Sequence, residues 1–232
     1  MRRCSEPVRF RAIEFCATIS SFREAERKRD KLDGGSQELA FGRSVEMGKY
    51  TYESLAKLKE PELEEIFRNG TTPRFEDLVG WEFRGWNIPY ITRILGFQKF
   101  KKGFFLGPGQ KVDGLEISGY NVVVVQNRFE DPWIAKPSEE NPKRHGFYIV
   151  YKVRPEERDN LYPNALLLNY GKGKNPWYHP ARLLRDYLVQ PDPENRDLFL
   201  GKAYIALGPW RVFPSFFIIE RYNESNYKPQ GA

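Results

Sequence analysis

The feature that most limits the fold is a series of eight short runs of strand-forming residues, separated by residues that break regular structure. The runs span residues 80–86, 100–106, 116–126, 146–153, 165–170, 184–190, 198–207 and 212–222. Clusters of proline or glycine, which fit poorly inside strands, separate several of the runs, as at 107–109, 171–173 and 191–193. Runs of this length at this spacing predict a meandering antiparallel sheet.

Two of the runs are apolar on both faces, at residues 122–125 and 213–219, so we expect both sides of these strands to be covered. Residues 147–153 alternate more cleanly, which is typical of a wall with one wet face. A closed sheet of about eight strands leaves room inside for side chains or one small ligand. We therefore predict a mainly β fold, either an antiparallel closed barrel or a strongly curved sheet.

Helical signals precede the first run. Thr51 suits a helix N-cap, Pro61 suits the first turn of a second helix, and Asn69 followed by Gly70 suits its end. We predict short covering helices within residues 52–69, on the N-terminal side of the sheet. Two further short helices are predicted at residues 89–95 and 180–184.

The first 46 residues differ from the rest of the chain. Both cysteines, Cys4 and Cys16, lie there, and the segment contains a Gly-Gly-Ser linker at 34–36 without a sustained amphipathic period. We interpret residues 1–46 as an extension that is either flexible or non-native, and residues 47–232, beginning at Met47, as a single β-rich domain.

Sequence features that are missing argue against some compartments and some kinds of active site. No run approaches the ~18 apolar residues of a membrane-spanning helix, and Glu14 interrupts any signal-peptide core after the basic start. We expect a soluble cytoplasmic protein. The domain has no cysteine and only two separated histidines, His145 and His179, which argues against a zinc site or a thiol nucleophile. We predict no metal and no cofactor.

Residues 78–86, Leu-Val-Gly-Trp-Glu-Phe-Arg-Gly-Trp, enter the first strand, and the last strand ends in Glu220 and Arg221. This pattern resembles the calycin-type barrels, the lipocalins and their relatives, in which a basic residue near the last strand covers a tryptophan of the first. The resemblance implies a calycin-like barrel, a cation–π pair of Arg221 with Trp81, Phe83 or Trp86, and an interior site for a lipid-like molecule. The stretch also resembles bacterial proteins of unknown function, which imply no activity.

Aromatic and cationic side chains supply the candidate ligand contacts. We predict that the barrel binds a small hydrophobic or amphipathic ligand inside. The candidate contacts are Trp81, Arg84, Trp86, Tyr178 and Arg221, with Asn87 and Tyr90 close to the first three. The alternative interpretation is purely structural: the side chains of the Trp81–Trp86 region would then form a plug that closes the barrel.

Two other functions stay open. A metal-free isomerase or cyclase would use His179 or Tyr178 as acid or base, since His179 directly precedes the helix predicted at 180–184 and we expect Arg182, Arg185 and Asp186 near it. Residues 97–105 interleave aromatics with lysines, as a single-stranded RNA platform does. The same residue pattern is also typical of an amphipathic strand with its lysines outside and its phenylalanines inside, so we expect no nucleic-acid partner.

Overall fold

The computed structural model describes residues 50–88 and 96–229, and within them eight antiparallel strands close into a barrel. The strands are β1 (Trp81–Asn87), β2 (Lys99–Phe105), β3 (Glu116–Val122), β4 (Arg144–Lys152), β5 (Leu166–Asn169), β6 (Leu184–Val189), β7 (Leu198–Leu207) and β8 (Trp210–Glu224). Neighbours in sequence pair throughout, and β1 closes the barrel against β8. The predicted closed antiparallel barrel of calycin-like form is confirmed.

Short helices cover the outer wall, as predicted. Helix α1 (Tyr52–Leu55) is capped by Thr51, whose Oγ1 accepts from Ser54 N over 3.1 Å, and α2 (Glu60–Asn69) carries Pro61 in its first turn and ends before Gly70. Phe67 of α2 lies 6.0 Å from the ring of Phe216 on β8. The covered strand is therefore apolar on both faces because a helix packs on its outer side.

Two other helical turns interrupt the chain. Helix α3 (Phe75–Leu78), which the sequence did not predict, lies just before β1, and the 3₁₀ helix η1 (Pro180–Leu183) corresponds to the helix predicted at 180–184. The helix predicted at 89–95 lies outside the described residues. The extension and its boundary at Met47 lie outside them too, so the predicted domain division stays a prediction.

Aromatic rings occupy the middle of the barrel. The ring of Phe83 lies 5.5 Å from that of Phe104 and 5.6 Å from that of Phe199, and Phe104 contacts Tyr148 at 5.9 Å. Gly119 makes room for one of these rings, since a Cβ there would lie 2.1 Å from Cε2 of Tyr148. Side chains of the described residues therefore fill this part of the interior.

The strand directions define two ends, which we call lower and upper. The lower end, where β1 begins, is closed by Phe75 and Leu78 of α3, both packed in the interior cluster. There the guanidinium carbon of Arg221 lies 4.5 Å from the ring centroid of Trp81. The predicted cation–π pair between the first and last strands is thus present, with Trp81 as the covered ring. The upper end carries the β5–β6 connection (residues 170–183) and the β7–β8 hairpin.

Candidate functional site

The lysines of β2 are buried, which corrects the prediction that they lie outside in solvent. Lys99, Lys101 and Lys102 are 2%, 1% and 3% exposed. On the outer face, Nζ of Lys99 donates to the carbonyl oxygen of Asp131 over 2.7 Å, and Lys101 pairs with Glu139 at 3.0 Å. The segment 123–143 covers this wall, so these ammonium groups do not face solvent. Binding to RNA phosphates would require them to do so.

Lys102 points into the barrel, where it forms an inner polar cluster. Its Nζ donates to Tyr170 Oη over 2.6 Å, to Asp186 Oδ2 over 2.9 Å and to Asn121 Oδ1 over 3.0 Å. Burial lowers the pKa of Lys102, and the carboxylate of Asp186 opposes this shift. The sequence analysis missed this residue, although Lys102 has the same strand parity as the inward-facing Phe100 and Phe104.

An open pocket of about 570 Å³ lies at the upper end, on the outer side of the strands that carry this cluster. Asn169 and Arg185 form its wall and are direct cross-strand partners, while the next residues along each strand, Tyr170 and Asp186, reach the inner cluster. The remaining lining residues come from the β5–β6 connection: Gly171, Lys172, Trp177, Tyr178, His179, Pro180, Arg182 and Leu183.

The side chain of one asparagine and a close approach at one glycine fix the β5–β6 connection against β4. The side chain of Asn175 accepts from Phe147 N over 2.9 Å and donates to Phe147 O over 2.6 Å. Gly173 permits the close approach, since a Cβ there would lie 1.9 Å from Phe147 O. Proline at 180 then starts η1, whose N-cap is His179. These contacts fix the position of residues 177–179, which line the pocket.

The pocket has an excess of positive charge. Two carboxylates are each shared by two cations: Glu157 by Lys172 (3.1 Å) and Arg154 (3.2 Å), and Asp159 by Arg185 (3.0 Å) and Arg211. Arg182 has no carboxylate within 4.0 Å in the part of the chain that the structure describes. Of the three cations that line the pocket, Lys172 and Arg185 are therefore paired with carboxylates, and Arg182 lacks an anionic partner among the described residues.

Two exposed aromatic side chains stand beside this cation. Trp177 is 87% exposed and Tyr178 is 71% exposed, and their rings meet edge to face at 5.7 Å. Large apolar rings left in water next to an uncompensated guanidinium are suited to stack on a planar group of a bound molecule.

His179 enters the pocket as a hydrogen-bond donor. Its Nδ1 accepts from the backbone N–H of Ala181 over 3.2 Å, so the neutral ring carries its proton on Nε2. A role as general base would require an unprotonated Nε2 and the loss of this bond. The predicted acid–base candidates Tyr178 and His179 do lie together in the pocket, but His179 is arranged to donate.

The predicted ligand-binding residues do not form one site. Tyr178 lies in the pocket, whereas Trp81 and Arg221 close the lower end. Arg84 is on the outer wall, paired with Glu220 and with its guanidinium carbon 4.4 Å from the ring centroid of Tyr52. Trp86 packs edge to face on Phe129 at 4.8 Å, on the outer wall as well. Tyr90 lies outside the described residues.

No protein-family model matches the chain, and no curated protein matches it in sequence. Within residues 50–88 and 96–229, no group of three or more His, Cys, Asp or Glu side chains is arranged to hold a metal ion. No helix in these ranges is long and apolar enough to cross a membrane.

Proposed function

We propose that the protein binds a small amphipathic ligand, with an anionic group and a planar apolar part, in the pocket at the upper end of the barrel. The observation that carries the proposal is the position of Arg182, a cation without a carboxylate among the described residues, beside the exposed rings of Trp177 and Tyr178. The resemblance to lipocalins supports a small-ligand role. The filled middle of the barrel favours this outer pocket over the interior.

Each part of such a ligand has a matching group. Arg182 supplies planar N–H donors for a carboxylate, sulfonate or phosphate, and the Nε2–H of His179 is a second donor. The face of Trp177 is available for stacking. A volume of about 570 Å³ is within the range of small-molecule pockets. The ligand would add the anion that the pocket lacks and remove apolar rings from water.

The test uses a fluorescent anionic aromatic probe, 8-anilinonaphthalene-1-sulfonate, and its uncharged analogue N-phenyl-1-naphthylamine. We expect one sulfonate probe to bind per protein, and Arg182→Gln to weaken it about tenfold or more because a charge-assisted hydrogen bond is lost. The uncharged analogue should bind both forms equally. Trp177→Ala should weaken both probes.

Arg128→Gln is the matched control, because Arg128 is an arginine whose side chain is 85% exposed on the segment 123–143. This variant should bind both probes like the wild type. Unchanged sulfonate affinity in Arg182→Gln, or a wild-type protein that binds neither probe, would reject the proposal.

A metal-free isomerase or cyclase is the second candidate, because Tyr178 and His179 both line the pocket. In that case His179 would act first as a general acid through Nε2–H. Small hydroxy- and oxo-carboxylates incubated with the protein and followed by NMR provide the test. Turnover that persists unchanged in His179→Ala would remove this residue from the mechanism.

A further inference from the structure

Exposed apolar side chains gather at the upper end of the barrel, beyond the pocket itself. We call this set the aromatic rim. Its members are Trp177 (87% exposed), Tyr178 (71%) and Leu183 (41%) of the β5–β6 connection, and Leu207 (42%) and Trp210 (71%) of the β7–β8 hairpin. Single exposed apolar residues are ordinary, but five on two connections at the same end of the barrel suggest a binding surface.

The two loops of the rim are held together. Helix η1 packs against β7, and Asp159 binds both Arg185 at the start of β6 and Arg211 at the start of β8. Arg158 reaches the tip of the hairpin, where its Nη1 donates to Gly208 O over 3.4 Å. The two connections that carry the rim are therefore fixed to each other at one end of the barrel.

Cationic side chains lie on the segments that carry or contact the rim. Arg158 and Lys174 are exposed, and neither they nor Arg182 has a carboxylate within 4.0 Å in the described ranges. Glu156 is an exposed carboxylate on the same segment as Arg158, while Glu157 and Asp159 are already shared by cations. These charges favour a partner surface that is negatively charged as well as apolar.

We propose that the aromatic rim docks onto the surface of an anionic lipid bilayer. Tryptophan and tyrosine rings prefer the headgroup level, where the ring enters the acyl boundary and its N–H or O–H stays in contact with water. Arginine and lysine beside them are attracted to anionic headgroups. The rim combines both features at one end of the barrel, so the molecule docks through this end and lies on the membrane without crossing it.

The test is co-sedimentation of the protein with vesicles of equal parts phosphatidylglycerol and phosphatidylcholine, and with vesicles of phosphatidylcholine alone. We expect binding to the anionic vesicles that weakens as salt is raised, and much weaker binding to the neutral ones. Trp210→Ser should reduce the partition coefficient roughly tenfold, because one large ring no longer leaves water.

Leu115→Ser is the matched control, because Leu115 is an apolar side chain that is 83% exposed at the lower end. It should bind vesicles like the wild type. Trp210 does not line the pocket, so Trp210→Ser should keep its affinity for the sulfonate probe, which separates this inference from the proposed function. The proposal would be overturned by equal binding to both kinds of vesicle, by no binding to either, or by normal vesicle binding of Trp210→Ser. A rim that binds a protein partner instead of a bilayer would give one of these results.

Discussion

Nζ of Lys102 donates a hydrogen bond to Oδ2 of Asp186 over 2.9 Å, and both side chains are almost fully buried inside the barrel. Removal of one partner leaves the other as a buried charge without compensation. We therefore expect Lys102→Met or Asp186→Asn alone to lower the free energy of unfolding by about 3–5 kcal/mol in urea titrations.

The double variant Lys102→Met, Asp186→Asn tests the cause of this loss. It replaces both charges by uncharged groups of similar volume, so we expect it to recover a large part of the stability that the single variants lose. Arg128→Ala, which removes a largely exposed cation, should change stability by less than about 0.5 kcal/mol. If the double variant is as unstable as the sum of the single variants, desolvation of an unpaired charge is not the cause.

Glycines of the barrel wall give a second prediction. A Cβ on Gly201 would lie 2.0 Å from Cζ of Phe217, whose ring packs across the neighbouring strand. Gly201→Ala should force this ring to move and cost about 1–3 kcal/mol in thermal or urea unfolding. Phe217→Leu shortens the obstructing side chain, so the combined variant should lose less than the sum of the two separate losses.

Gly107→Ala is the comparison for this effect. A Cβ there would meet the ends of two flexible side chains, Gln110 Oε1 and Ser118 Oγ, both at 3.1 Å. It should therefore be tolerated better than Gly201→Ala. Equal losses at the two positions would mean that the ring of Phe217 does not decide the cost.

The strands and the barrel could be predicted because their signals are local. Short runs of β-branched and aromatic residues, such as those around Val150 and Phe216, indicate the strands, and turn-forming residues separate them. The cation–π contact of Arg221 was predicted from the resemblance to lipocalins, with Trp81, Phe83 and Trp86 as its three candidate rings, and the structure selects Trp81.

The candidate site was predicted only in part. Tyr178 and His179 stand out in the sequence, but the ion pairs that leave Arg182 as the uncompensated cation join segments far apart, as with Arg185 and Asp159 at 26 residues. The burial of Lys99 and Lys101 likewise depends on the segment 123–143, whose path over the outer wall leaves no periodic pattern in the sequence. Long-range packing of this kind is not encoded in local residue spacing.

The covered ring at the lower end gives a third prediction. Arg221 lies over Trp81, pairs with Asp197 at 2.7 Å and donates through Nη2 to Asp77 O over 2.8 Å. Arg221→Gln should lower the free energy of unfolding by about 1–2 kcal/mol. In a double-mutant cycle with Trp81→Leu we expect a coupling of about 0.5–1 kcal/mol.

A cycle that pairs Arg221→Gln with Trp210→Ser serves as the control, because Trp210 lies at the upper end of the barrel. The two changes should add within about 0.5 kcal/mol. Additivity of Arg221 with Trp81 as well would mean that the cation–π contact contributes nothing measurable to stability.

The ion pair beneath α2 predicts how stability depends on pH. Nζ of Lys202 donates to Glu64 Oε2 over 2.5 Å and to Tyr162 Oη over 2.8 Å. Burial alone would raise the pKa of Glu64, but the hydrogen bond and charge of Lys202, with the charge of Arg68, lower it below its ordinary value of 4.5. Burial opposes the charge of Lys202, yet its bonds to Glu64 and Tyr162 raise the pKa of Lys202 above 10.5.

The sign of each shift sets one limb of the profile. A lowered carboxyl pKa adds stability that is present above pH 4.5 and is lost as the pH falls through the folded-state pKa, while a raised lysine pKa adds stability that is present below pH 10.5 and is lost as the pH rises through the folded-state pKa. Urea midpoints measured across pH should therefore fall on both sides of a plateau.

Glu64→Gln should flatten the acid limb, leaving the share due to other carboxylates with lowered pKa, such as Glu157. Lys202→Met should flatten both limbs, because it removes the titrating lysine and the partner that lowers the pKa of Glu64. An acid limb in Glu64→Gln as steep as that of the wild type would show that this pair does not contribute to acid stability.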